Sequence, residues 1–296
     1  MAAPEGNCWL CGKYGRLSKE HIPPESAFND CPMLLMKVKE RSTALEWEPR
    51  TSYGRGMCFR TLCEGCNNRY GSKYGGAYVD LVRRVADRIG DVPYYHRISI
   101  IGVRRPLAIL KQVMLQFVTA NGPLFVRTNP WVAPFIRQPR NAELPRDIGV
   151  YLFASNVRGG RNSGVSGHVE ARTGKTNVIA EFSFWPLGTV ISFGGELSDT
   201  RLTPIHQWVA YPFDYREEVD VHLCVNPIAT AYPIDFRTES VVRSQALTPS
   251  DVKAPSQETS DEMMKKAMKI SGETDSWVFS GHPTTIKKMK DREVRR

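Results

Sequence analysis

The stretch "LSKEHIPPESAF", residues 17–28, sets an acidic residue beside a histidine and then stops the chain with two prolines. Neighbouring residues on a strand point to opposite faces, so Glu20 and His21 address one point in space only if the strand ends there. Pro23 and Pro24 supply that ending: proline has no N–H for a ladder and confines the residue before it to extended backbone. Two cysteine pairs bracket the stretch, "CWLC" at residues 8–11 and "CEGC" at residues 63–66. Cys8, Cys11, Cys63 and Cys66 offer four sulfurs, and the two residues inside each pair let the chain turn both sulfurs onto one ion. A tetrahedron of thiolates suits Zn2+, and with every position taken by protein the ion is structural. Gly12 and Gly65 provide the backbone freedom such turns use. The gap of 51 residues between Cys11 and Cys63 exceeds that of a simple zinc ribbon, so a further piece of structure is expected between the pairs.

Composition places the chain among soluble globular proteins, with 41% hydrophobic and 24% charged residues. Seven cysteines, an odd number, argue for metal binding in a reducing compartment rather than for a disulfide framework. Cys58 reads as part of a strand entering the second pair, and Cys224 as core. No apolar run approaches the ~20 residues of a membrane span. The opening "MAAPEGNCW" lacks the basic segment and apolar core of a signal peptide, so a cytoplasmic location without a membrane partner is expected. The net charge of +9 favours a polyanionic partner, nucleic acid before an anionic membrane. The basic excess lies in residues 1–160, whereas residues 161–243 are net acidic.

The patterning divides the chain into three segments and gives an α+β fold class. Residues 1–90 begin with loops and end in a helix over residues 78–89. Its buried face is Tyr78, Leu81, Val82, Val85 and Ile89, and Gly90 is its stop. Pro93 marks a boundary. Residues 91–243 read as an antiparallel-sheet α+β domain. Within it, "RRPLAILKQVMLQFVTANG" is a helix with Pro106 in the first turn and an apolar stripe from Leu107 to Val118; Asn121 and Gly122 stop it. Five prolines make residues 121–147 an irregular connection. "DIGVYLFAS", "GVSGHVEAR", "NVIAEFSFWPL", "TVISFGG" and "VDVHLCVNPI" read as strands between glycine-bearing turns. Residues 244–296 read as a polar, mostly flexible tail with one short amphipathic helix at residues 260–272.

Three elements resemble the HNH endonucleases of the zinc-knuckle-supported ββα-metal type: the Cys8/Cys11 pair, "SKEHIPP" at residues 18–24, and "CEGCNNRYGS" at residues 63–72. The resemblance covers residues 8–80, about a quarter of the chain. It implies an N-terminal HNH-like ββα-metal domain in which His21 is the general base and Glu20 a ligand of a catalytic Mg2+ or Mn2+. Asn67, with Asn68 as its substitute, is then the ligand presented by a helix that the zinc pairs fix. Phosphodiester hydrolysis asks for these residue types: a base for the attacking water, and oxygen donors that hold a hard cation against the phosphate. The plainer readings are a helix cap for Asn67 and a surface ion pair with Lys19 or Arg69 for Glu20. Between residues 32 and 63 there is no asparagine to orient the histidine, which leaves a backbone carbonyl or Thr61 for that task. Family members also tend to carry an acidic residue where this chain has Gly75; Asp80 is the nearest stand-in.

The expected activity is metal-dependent hydrolysis of nucleic acid, DNA before RNA, with phosphates met by side chains such as Lys13, Arg16, Lys19, Arg60, Arg69 and Arg83. Two alternatives belong to other classes. One is a zinc-knuckle adaptor that binds nucleic acid without cutting it. The other is a ligand sensor whose output is the HNH domain. A protein partner or a second copy of the chain would engage residues 91–243.

Overall fold

The computed structural model describes residues 4–41, 44–157, 159–170, 173–226, 253–271 and 277–281. The N-terminal part gives β1 (Glu5–Asn7), β2 (Tyr14–Arg16), β3 (Glu20–His21), β4 (Met33–Arg41), β5 (Ala44–Tyr53) and β6 (Cys58–Phe59). A continuous helical run follows: α1 (Glu64–Tyr70), a π turn (Gly71–Gly75) and α2 (Gly76–Ile89). Next come β7 (Arg97–Val103), α3 (Pro106–Thr128), α4 (Val132–Arg137), β8 (Ile148–Ala154), β9 (Gly160–Val169), β10 (Thr176–Phe184), β11 (Leu187–Phe193) and β12 (Thr203–Pro204). A 3-10 turn (His206–Ala210), β13 (Val219–Cys224), α5 (Gln257–Ser271) and β14 (Trp277–Gly281) end the described chain. The architecture is mixed α+β with antiparallel sheets.

The Val-, Ile- and Phe-rich stretches form strands where their composition predicts them. β8, β11, β10 and β9 are neighbours in an eight-stranded sheet of order β12-β8-β11-β10-β9-β14-β4-β5. The stretch "VDVHLCVNPI" gives β13, which leaves this sheet and pairs with β7. The structure built between the two cysteine pairs is the β4–β5 hairpin, which enters the large sheet through β14. One apolar core therefore runs from Cys8 to Ala267, across the position near residue 90 where the sequence suggests a boundary.

At the centre of that core is α3, buried on every side from Pro106 to Asn121 rather than along a stripe alone. The polar residues Lys111, Gln112, Gln116 and Thr119 are inside as well. Burial lowers the Lys111 pKa to about 7. Its ammonium donates to the carbonyls of Phe135, Gln138 (3.2 Å) and Asn141 (2.6 Å) at the end of α4. Tyr74 and Tyr70 donate to the neighbouring carbonyls of Ile136 (2.5 Å) and Arg137 (3.4 Å). The last carbonyls of a helix have no N–H of their own helix to accept from. Here they tie α3 and the α1–α2 run to one anchor.

Two expectations change. Gly122 breaks α3 at φ 86 and ψ 176 but does not end it; Pro123, with φ suited to a first turn, restarts the helix to Thr128. α4 then occupies part of the connection expected to be irregular. The described part of the expected tail is packed. α5 starts at Gln257 behind the cap Ser256, whose Oγ accepts from Thr259 N at 3.1 Å. It lies against α3 and β9, buries Ala267, and accepts a 2.7 Å hydrogen bond from Thr128 at the carbonyl of Ile270. The rest of that expectation, on residues 244–252, 272–276 and 282–296, lies outside the described residues. Among the described residues no helix is long and apolar enough to cross a membrane.

Candidate functional site

The β1–β2 hairpin carries Cys8 and Cys11 in its connecting loop. Gly12 donates to the carbonyl of Cys8 (2.8 Å) and Cys8 to that of Lys13 (2.9 Å). This turn needs the left-handed backbone of Gly12 at φ 74. Gly65, expected to do the same in the second pair, is simply helical. There Cys63 caps α1 with extended backbone and Cys66 follows in the first turn. The hairpin is held beside the helix start by a bridge between Leu17 and Cys63 and by the Trp9 N–H on the carbonyl of Thr61 (2.9 Å). All four sulfurs lie within 4.8 Å of one another, Cys11 and Cys63 being 3.8 Å apart. Zn–S bonds of ~2.3 Å in a tetrahedron set sulfurs about 3.8 Å apart, so the four cysteines could hold a metal ion such as zinc. Sulfurs this close to one another compete for one negative charge. The hydrogen bond from Cys66 holds the Cys8 thiol down at about 4, and Cys8 in turn pushes the Cys66 thiol up. A divalent ion removes that conflict by letting every sulfur ionise. Cys58 stands outside the cluster, and Cys31 and Cys224 are buried.

β3 pairs with β6, Glu20 opposite Phe59 and His21 opposite Cys58. Strand alternation sends Glu20 inward, 4% exposed, and leaves His21 half-buried. The surface ion pair considered for Glu20 is therefore wrong. Its carboxylate accepts from the Thr61 N–H at 3.2 Å and from the Thr61 hydroxyl, and Thr119 of α3 brings a second hydroxyl to the same spot. Burial pushes the Glu20 carboxyl up to about 9, against the opposing pull of Thr61.

His21 Nε2 lies 3.0 Å from the carbonyl of Arg55. A carbonyl only accepts, so Nε2 carries the proton and Nδ1 keeps its lone pair. Of the two orienting groups considered, the backbone carbonyl takes the part, and Thr61 serves Glu20 instead. Asn29 puts that carbonyl in place. Fully buried, it donates to the carbonyls of Pro23 (2.7 Å) and Met57 (2.8 Å) and accepts from Met57 N (2.6 Å). Gly56, at φ 68, presses on it so closely that a Cβ would stand 1.7 Å from the Asn29 carbonyl oxygen. In the sequence Asn29 is close to His21 but falls in the loop, where an asparagine reads as a turn residue.

Asn67 lies past the first turn of α1 and is not its cap. Its Nδ2 donates to the carbonyl of Lys19 at 3.1 Å, which leaves Oδ1 as an acceptor. Asn68 is exposed and lies outside the lining of the cleft that Asn67 enters. This cleft, a cavity of about 510 Å3, is lined along the helical run by Asn67, Gly71, Gly75, Val79 and Arg83. In an α-helix each step of four overshoots a full turn by ~40°. The wider π turn winds less per residue and takes back part of that drift, so one line of residues keeps facing the cavity. Glu20 and His21 form the opposite wall, and Gln112, Leu115 and Thr119 close the back from α3. Those three carried no signal in the sequence, where they sat within an ordinary apolar helix. Asp80, the acidic stand-in, pairs with Arg84 at 2.9 Å outside the lining. Comparisons of the chain with protein-family models, with curated proteins and with solved structures found no match.

Proposed function

We propose that the chain is a metal-dependent endonuclease of the HNH type, hydrolysing phosphodiester bonds of nucleic acid, DNA in the first place. The observation that carries this reading is that Glu20, His21 and Asn67 line one cavity beside the four-cysteine cluster. His21, oriented through Nε2, uses Nδ1 to take the proton from the attacking water. The Glu20 carboxylate and Asn67 Oδ1 are hard oxygen donors of the kind that hold Mg2+ or Mn2+. Such an ion, when bound, supplies charge for the phosphate and the leaving oxygen. The donors fit the ion: Glu20 is a buried carboxyl with no cationic partner described, and the Asn67 amide has its nitrogen engaged and its oxygen spare. Lys19 and Arg83, also in the lining, meet the flanking phosphates.

The test is cleavage of plasmid and single-stranded DNA by zinc-loaded protein with Mg2+ or Mn2+ added. Cleavage that needs the added ion and falls by about 100-fold or more in His21→Ala, with zinc retained, is the expected result. Undiminished cleavage by that variant overturns the assignment. A second reading, the non-cleaving adaptor, draws on the Glu20 carboxyl being turned into Thr61 and held neutral. It predicts tight binding that His21→Ala leaves unchanged and no cleavage under any metal.

A further inference from the structure

Past Glu20, His21 and Asn67 the cavity continues between the helical run and α3, and a volume of about 510 Å3 exceeds what one phosphate and one water occupy. Its lining includes the apolar side chains of Pro24, Leu62, Val79 and Leu115 and the bare backbone of Gly71 and Gly75, beside the polar Lys19, Glu25, Ser26 and Arg83. Facing Gly75 is the amide of Gln112, a residue 3% exposed. Its Oε1 is buried without a hydrogen-bond partner among the described residues and stands 3.9 Å from where a Cβ on Gly75 would be. A buried acceptor without a partner beside a partly apolar cavity is a place for a flat ligand that brings an N–H donor.

We propose that this inner chamber receives one unpaired nucleobase of the strand whose backbone lies at Glu20, His21 and Asn67, with Gln112 as its polar anchor. The proposal rests on the nuclease reading for the placement of the backbone. Every nucleobase is flat, apolar on both faces, and carries an N–H on its Watson–Crick edge. That edge is free only when the base is unpaired or flipped out of a duplex. The glycines let the helix backbone approach a base face as no side chain would allow. Gln112 comes from α3, so residues 91–243 would contribute the base contact while residues 8–80 contribute the chemistry.

The experiment uses zinc-loaded protein without added Mg2+ or Mn2+, so that strands stay intact, and single strands carrying 2-aminopurine at one position at a time. One register should show a change in emission on binding, and free nucleoside monophosphate should compete for it. Gln112→Leu should weaken that binding about tenfold. Gly71→Leu, at a helical position with nothing within 4 Å, should fill the slot and abolish the emission change while the protein keeps its zinc and its melting temperature. No emission change at any register, or a change that survives Gly71→Leu in the folded variant, overturns the proposal. The cleavage assay is read separately: His21-dependent cleavage without a base signature keeps the nuclease and overturns the chamber. A base signature without cleavage keeps the chamber and overturns the nuclease.

Discussion

His21 is steadied by a carbonyl that any residue at position 55 would supply, and that carbonyl sits where it does because Asn29 bridges two loops. Replacing Asn29 by Ala leaves the Pro23 carbonyl and the Met57 N–H without this partner in a buried site, while the Met57 carbonyl keeps the Ile22 N–H at 3.3 Å. The expected loss is about 3 kcal/mol in denaturant unfolding, together with slower cleavage, since the histidine loses its support. A variant as stable and active as the parent would show that the bridge has no such role. Glu20 makes the second prediction. Its folded-state pKa is raised from 4.5 to about 9, so folding favours the neutral acid. That contribution is fully present below about pH 4.5 and is lost as the pH rises through about 9. Without added divalent ion, the melting temperature of the parent should fall over this window more than that of Glu20→Gln. Binding of Mg2+ displaces the proton, so its affinity should rise with pH in the parent and be absent in the variant. Parallel melting profiles for the two proteins would contradict the assignment.

At the scale of elements, the helical run shows what periodicity reads and what it misses. Tyr78, Leu81, Val82, Val85 and Ile89, the face read from the sequence, are the buried residues of α2. The family resemblance implies a helix at Asn67, but periodicity does not reach back to it, because Gly71, Gly75 and Gly76 lower helix propensity by about 1 kcal/mol each and mask the continuity back to Glu64. Packing overrides that penalty: Tyr70 and Tyr74 hydrogen-bond to the end of α4, and the four-cysteine cluster fixes the other end of the run. A metal ion held by the cysteines would therefore be part of the folding energy of β1–β2 and α1. Chelating zinc, or Cys63→Ser, should expose the amides of residues 5–17 and 64–75 to hydrogen exchange while β8–β11 stay protected. Uniform protection after zinc removal would mean that the cluster does not hold these elements.

For the whole molecule, the basic excess of residues 1–160 sets an expectation on binding rather than on fold. The logarithm of affinity for a short DNA should fall linearly with the logarithm of salt concentration. Arg83→Ala should reduce the magnitude of that slope by about 1, since Arg83 lines the cavity on the helical side. A slope unchanged by the substitution would place the phosphates elsewhere. Residue type alone made legible the spacing of the four cysteines, the strand-ending prolines after His21, the buried faces of two helices and the strands of the sheet centre. Each of these is a short-range pattern in which residue type carries the physics. It took the three-dimensional packing to show that the β4–β5 hairpin joins the sheet through β14, that Asn29 and the Arg55 carbonyl steady His21, and that Gln112 and Thr119 of α3 close the cavity. Those choices depend on backbone groups, which are alike in every residue, and on burial between segments far apart in the chain, which no local pattern records.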